Sequence, residues 1–405
     1  MQVGVWLYGL AVVCVLYPYV IYPAILAWRI RRAARPVERR AGGRLPSVSV
    51  VIAARNEEAN VARRLAEFAE RIVSEDLVGE VVVVSDGSTD ETAAAARRFA
   101  ATSPVPVQVV GLEQNLGKAA ALTTGVNVGC HDIVVVADAR QTWAPDALRR
   151  LLENFEDPEV GAVSGELILE TAPGVMAAVG LYWKIEKWMR KRESILHSTV
   201  GVTGAIAAVR RSLFTPIPAG TVLDDVYWPL CVVMKGRRVV FDERAHAFDR
   251  LPEQVGAEFR RKVRTLAGNY QLAARLPRAL NPWENPVWFA LVSHKLMRLV
   301  VPWAILAMPV LAAWVGGPRF GTLLLLQLAG MTVGALGLIP AVAARSKLAA
   351  AGGSFLVLNA AAWLGFWVWA TGRVERSWNK TTYVRSLEPH GPLALANAPI
   401  EEAAR

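Results

Sequence analysis

Three cysteines stand among 405 residues, and Cys14, Cys130 and Cys231 lack any spacing that would build a disulfide framework or a zinc site. Charge is missing altogether from residues 3–28, an apolar run long enough to cross a bilayer. No positive charge precedes that run, which argues against a cleavable signal peptide and for an anchor. No internal repeat recurs along the chain. A glycine-rich phosphate loop is also missing after the first strand-like segment, where Arg55-Asn56-Glu57-Glu58 stands instead. That absence weighs against a nucleotidyltransferase.

Apolar residues make up 53% of the chain and gather at its two ends, so the middle reads as soluble protein. Arg29, Arg31, Arg32, Arg35, Arg39 and Arg40 follow the first run, which places that side in the cytoplasm. Much of the net charge of +10 lies in this flank and in other arginine groups near the apolar segments. Such placement points to anionic headgroups and phosphates, not to nucleic acid. Three further apolar stretches cover 299–316, 320–344 and 353–371, with Arg345 and Lys347 between the second and third. Before them, 276–298 mixes Trp283, Trp288 and Phe289 with His294, Lys295 and Arg298, a pattern that predicts an amphipathic helix lying in the interface. The expected division is a membrane helix over 1–28, a basic linker over 29–45, a cytoplasmic domain over 46–275, the interfacial helix, about three membrane helices over 299–372, and a tail over 373–405. One span before the domain and three after it leave that tail outside, whereas Arg373, Arg376 and Lys380 favour the inside. From about Pro389 no periodicity remains, which predicts disorder.

Within 46–275, strand-like and helix-like segments alternate, which predicts an α/β fold with a mainly parallel sheet. Val81-Val82-Val83-Val84 reads as a buried strand that ends on Asp86, and Ser88 with Glu91 has the form of a capping box. Taken alone, this is also what an ordinary capped turn looks like. The same event recurs, however. Val48 to Ala53 is followed by Arg55 and Glu57, Val107 to Val110 by Gly117-Lys118, and Ile133 to Ala137 by Asp138-Ala139-Arg140. Polar groups gathered at the carboxyl ends of parallel strands describe one ligand crevice. Asp86 suits a base or ribose, and Lys118 a phosphate or a pyrimidine carbonyl. Asp138 suits a metal–diphosphate. Arg261 and Arg264 are three apart on an expected helix from Pro252 to Leu276, so they point together as an anion clamp or form a basic face on the membrane. Asp224-Asp225 opens another helical run. The two acids suit a general base with a raised pKa, or a pair drawn to a helix N-terminus by the dipole.

Together these residues resemble the family 2 glycosyltransferases of GT-A fold. They resemble most the membrane-integrated branch that includes the hyaluronan, chitin-oligosaccharide, cellulose and poly-N-acetylglucosamine synthases. Val50 to Glu58, with Ala53, Arg55 and Glu57, looks like that family's opening nucleotide-binding strand and loop. Asp86 to Asp90 looks like its uracil-contacting element, Asn115 to Lys118 like its lysine loop, and Asp138-Ala139-Arg140 stands at its DxD position. Val202-Thr203-Gly204-Ala205 resembles its acceptor strand, and Leu223-Asp224-Asp225 its ED motif, in which Asp225 would be the general base. Arg261-Lys262-Val263-Arg264-Thr265 stands where processive members carry QxxRW. Two departures stand out: Arg140 replaces the second DxD acid, and Thr265 replaces the tryptophan beside the acceptor sugar. The resemblance implies inverting transfer from a UDP-linked sugar, with a divalent cation (Mg or Mn) at Asp138. The acceptor would be a lipid or a growing polysaccharide, the protein a multi-pass protein of the cell inner membrane with its catalytic domain in the cytoplasm, and accessory export proteins possible partners. Single transfer to a polyprenyl or glycolipid acceptor, and a catalytically weak scaffold, are the alternatives.

Overall fold

Runs of β-branched residues build one mixed sheet at the centre of the chain. A computed structural model describes residues 2–39, 45–170, 177–250 and 255–374. Its eight strands lie in the order β3-β2-β1-β4-β7-β6-β8-β5. Here β1 is Val48–Ala54, β2 Gly79–Asp86, β3 Val107–Leu112 and β4 Ile133–Asp138. These four are parallel neighbours, so their carboxyl ends meet at one edge; Ala53 lies opposite Asp138. The remaining strands are β5 (Thr142–Trp143), β6 (Val160–Glu170), β7 (Ile206–Arg210) and β8 (Arg238–Arg250). The expected parallel sheet therefore holds through β4 and becomes mixed beyond it. β7 runs antiparallel between β4 and β6, while β8 is parallel to β6 and antiparallel to β5.

Two helices, α1 (Gln2–Leu16) and α2 (Tyr22–Ala33), joined by a π-helical turn over Tyr17–Ile21, make the N-terminal apolar rod. On the sheet, side chains alternate between faces as strand geometry requires. Val50, Ile52, Val81 and Val83 meet Phe68 of α3 (Glu58–Ser74), near Ala96 of α4 (Thr92–Ala100). Val51, Val82 and Val84 meet Leu122 of α5 (Lys118–Val128). α6 (Ala147–Glu153) returns to the first face through Leu148 and Leu151. α7 (Ala177–Leu196) instead joins Tyr22 and Leu26 of α2 through Met189. α8 (Asp224–Met234) seals the second face with Trp228, and Leu272 of α9 (Val255–Arg275) packs there too. Burying such a side chain contributes roughly 2–3 kcal/mol.

The C-terminal region holds α10 (Trp288–Ala290), a π-helical segment (Leu291–Leu296), α11 (Met297–Val315), α12 (Gly317–Leu336), α13 (Pro340–Arg345) and α14 (Lys347–Ala370). Among the described residues, four helical stretches are long and apolar enough to cross a membrane: 2–33, 288–315, 317–336 and 347–370. Two expectations need correction. The stretch expected over 320–344 breaks after Leu336, and Pro340 opens a separate short helix. The amphipathic helix expected over 276–298 does not form as one element. A 3₁₀ turn at Pro277–Leu280 is followed by turns around Pro282 and Pro286, residues that interrupt helices. The helix that starts at Trp288 runs on into α11, and Ser293 and His294 are buried in protein. Arg40, Pro252, Arg376, Lys380 and the tail from residue 375 lie outside the described residues.

Candidate active site

At the carboxyl edge of β2, Asp86 is buried and accepts two backbone amides of the loop after β3: Leu116 N–H at 2.7 Å and Gly117 N–H at 2.9 Å. Gly87 has φ +55, and a Cβ there would lie 2.4 Å from the Asn115 nitrogen. Asp86 and Gly87 thus dock the loop that carries Lys118. The capping box expected at Ser88 does not form, because α4 starts only at Thr92. Ser88 Oγ instead accepts the Asn56 N–H at 3.2 Å, while Asn56 Oδ1 accepts Thr89 N–H at 2.8 Å. The loops after β1 and β2 are therefore laced together, with Glu57 N–H donating to Thr92 Oγ1 at 2.7 Å.

Lys118 begins α5 behind Gly117, whose φ is +89. Its Nζ donates to Asp138 Oδ1 at 2.6 Å and to the Gly204 carbonyl at 3.4 Å. Burial works against the ammonium, but Asp138, Asp224 and Asp225 outweigh it and hold its pKa above the usual lysine range. The turn after Asp138 is gripped from α3. Arg64, wholly buried over Phe68 and Trp143, donates from Nε to the Asp138 carbonyl at 3.1 Å. Arg63 Nη2 reaches the Arg140 carbonyl at 2.9 Å. Arg140 forms an ion pair with Asp249 of β8, which also accepts from Gln141 Nε2 at 3.0 Å.

The acid pair opens α8. Asp224 is buried, and Asp225 is half-buried in the cleft. Burial, joined by the charges of Asp225 and Asp138 and opposed by Lys118, pushes Asp224 up to about 7. Burial also raises Asp225, against the pull of Arg190, Lys118, Lys295 and Arg264. Val202 N–H donates to the Asp225 carbonyl at 2.8 Å, and a Cβ on Gly204 would lie 3.6 Å from Asp225 Cβ. Val202 to Gly204 thus runs directly beside the acid that sequence reasoning nominates as base.

A cleft of about 1100 Å³ joins these groups. Ala53, Arg55, Glu57, Asp86, Lys118, Asp138 and Arg140 line its strand-edge wall. Thr203, Gly204, Asp224 and Asp225 line the cleft as well, as do Arg261 and Arg264 of α9. α9 is seated on α14: a Cβ on Gly365 would lie 2.9 Å from the Ala267 nitrogen, and Tyr270 stacks on Trp369 at 5.5 Å between ring centroids. Every site residue nominated from sequence lines this one cleft. Sequence reasoning missed three more, Arg190, Asp249 and Lys295. The basic run Lys187 to Arg192 was one signal for Arg190; Asp249 lies at the far end of a long strand with no local motif.

Residues 49–216 match the Glycosyl transferase family 2 domain. Poly-beta-1,6-N-acetyl-D-glucosamine synthase of Staphylococcus aureus (strain COL) is 22% identical over 202 residues, 48% of this chain and 48% of that protein. The chain thus spans about half the length of these curated relatives. An N-acetylglucosaminyltransferase of Rhizobium meliloti (strain 1021) is 27% identical over 305 residues, 67% of this chain and 70% of that protein. Among solved structures, the mannosyltransferase PcManGT from Pyrobaculum calidifontis, in complex with GDP-Man and Mn2+, superposes with a TM-score of 0.66. It is 25% identical, and the match covers 91% of this chain and 99% of that one. The domain match stops before Asp224, Asp225 and the α9 arginines, so only the fold brings those residues to the strand edge. From β1 through β7, the chain matches a family 2 glycosyltransferase domain, carried on a GT-A-like sheet.

Proposed function

We propose that the chain is an inverting glycosyltransferase that moves a sugar from a nucleotide-sugar donor, UDP-linked by preference, to a lipid-linked or growing polysaccharide acceptor at the cytoplasmic face of the membrane. The observation that carries this reading is that Asp225, Asp86, Lys118, Arg261 and Arg264 all line one cleft. Asp86, with Ala53, Arg55 and Glu57, would hold the nucleoside. Lys118, Arg140, Arg261 and Arg264 face the diphosphate, and Thr203 and Gly204 border the acceptor. Asp225 takes the proton from the acceptor hydroxyl as that oxygen attacks the anomeric carbon. The nucleoside diphosphate leaves from the opposite face. Fixed charges aimed at a developing diphosphate supply the largest catalytic term in such a site, with one lost donor costing about a hundredfold.

Asp138 would hold a divalent cation, Mg2+ or Mn2+. Among the described residues, the cleft acids do not come together as a three-ligand cage; the cluster that does is Glu80, Cys130 and His131, away from the cleft. One carboxylate plus diphosphate oxygens is a donor set that suits such an ion. A bound cation supplies positive charge to the leaving group. Two spans of relatedness bear on the donor: the glucosaminyl relatives favour UDP-N-acetylglucosamine, and the mannosyltransferase neighbour favours GDP-mannose as a second reading.

The test is incubation of the purified full chain in lipid with labelled UDP-N-acetylglucosamine, UDP-glucose and GDP-mannose, followed by sizing of the product. A high-mass ladder supports polysaccharide synthesis, and short lipid-soluble products support single transfer. No labelled product with any donor, from protein that binds UDP or GDP, supports the scaffold and contradicts the proposal.

A further inference from the structure

Arg190 stands on α7, on the acceptor side of the cleft. It donates from Nη1 to Thr203 Oγ1 at 2.9 Å and from Nη2 to the Val202 carbonyl at 3.3 Å. The next link is backbone: Val202 N–H donates to the Asp225 carbonyl. One guanidinium therefore ties the acceptor segment, and through it the first turn of α8, to α7. Thr203 is fixed from its other side, where its N–H donates to Ser164 Oγ at 2.9 Å.

A buried charge cluster backs Arg190. Glu186, one turn earlier on α7, lies 3.8 Å from Arg190 Nε. Glu186 also accepts from Lys295 at 2.9 Å and Arg298 at 3.0 Å, and pairs with His294 Nε2 at 3.0 Å. His294 Nδ1 meets Glu193 Oε1 at 2.8 Å, and that oxygen accepts the Tyr22 hydroxyl at 2.7 Å. Both nitrogens of the ring thus face carboxylates. Burial alone would raise Glu186, but His294, Lys295 and Arg298 overcome it and hold its carboxyl well below the usual range. The groups come from α2, α7, the π-helical segment and the first turn of α11. A π-helical turn carries more residues per turn than an α-helical one, and it is a device met at functional sites. Here it lies where Ser293 and His294 are buried and Lys295 reaches the cleft.

A buried ion cluster is weak evidence for stability, since desolvation offsets much of its attraction. What it supplies is a connection: Glu186 and Glu193, about one turn to either side of Arg190 on α7, join that helix to the helix of 288–315. We propose that Arg190 is a positioning residue for the transfer step, holding Thr203 and the turn at Asp225 in place, and that the Glu186–His294 cluster locks it to the membrane helices. The proposal rests on the reading of Asp225 as base. Asp225 is also faced by Lys118 of α5, Arg264 of α9 and Lys295, with Asp224 beside it as the opposing charge.

The experiment compares Arg190→Met, Arg190→Lys and Thr203→Val in the full chain in lipid, using whichever labelled donor the parent turns over. UDP or GDP affinity is read by calorimetry, transfer by product formation, and the acid limb of the rate from its pH profile. In Arg190→Met, nucleotide affinity stays at the parent value while transfer falls about a hundredfold, as expected for a misplaced reacting group. Its acid limb moves up by about one pH unit, because a cation beside Asp225 is gone. Arg190→Lys restores the limb without restoring the rate, since a single ammonium lacks the two-pronged fork. Thr203→Val lowers the rate and leaves the limb in place. An Arg190→Met protein with parental rate and an unmoved limb overturns the proposal. So does one whose nucleotide affinity and melting temperature fall together with the rate, because Arg190 is then only a support of the fold. Normal transfer by Asp225→Asn removes the base reading itself, whatever Arg190 does.

Discussion

Lys118 and Asp138 close an ion pair of 2.6 Å between the start of α5 and the end of β4. Under the proposed function the pair borders the diphosphate, and Lys118 would both restrain Asp138 and offer its charge to the nucleotide. Lys118→Met is expected to weaken nucleotide binding about tenfold, the size of one charge-assisted hydrogen bond. Calorimetry with UDP and GDP checks this. An unchanged affinity removes Lys118 from the nucleotide wall.

Gly87 is the hinge of the same wall. Its φ of +55 and the 2.4 Å approach of Asn115 leave no room for a Cβ. Gly87→Ala is expected to destabilise the domain by about 1 kcal/mol or more. It also displaces the loop that Asp86 holds, so nucleotide affinity falls with it. A melting temperature equal to that of the parent would falsify this account of the loop.

Asp224 carries a pH signature. Its ordinary pKa is about 4 in an unfolded chain, and burial pushes it up to about 7 in the fold. Between those values the native state binds the proton more tightly, so this carboxyl lowers stability as pH rises from about 4 to about 7. Asp224→Asn lacks that loss. Its stability relative to the parent is expected to improve across the same window, as read by denaturant unfolding at acid and at neutral pH. A constant difference across the window contradicts the burial argument.

Much of the nucleotide wall was legible because it is local. Asp86 and Asp138 end runs of β-branched residues and Lys118 opens the helix after β3, and the parallel register then brings those strand ends together. Residue type and spacing left two readings open for Asp225 and Arg264, and the ordered set of motifs chose between them. Arg190 and Lys295 were not legible, because their roles arise from α7 and the π-helical segment meeting in space. Ser88 misled for a related reason. Its hydroxyl bonds Ser85 Oγ and the Asn56 N–H in place of a helix amide, and the helix starts later than the local pattern implies. The segment after Pro277 misled because amphipathic composition says nothing of where buried partners wait, and Glu186 and Glu193 draw His294 into the protein.

The central claim is that Asp225 performs proton transfer and does not hold the nucleotide. Asp225→Asn keeps the shape of the side chain and removes its basicity. The decisive measurement is nucleotide affinity and product formation on that one variant, in lipid, with the donor the parent uses. The account predicts nucleotide binding at the parental level and transfer reduced by at least a hundredfold, in keeping with loss of a general base. Transfer at the parental rate, or nucleotide binding lost together with it, contradicts the account.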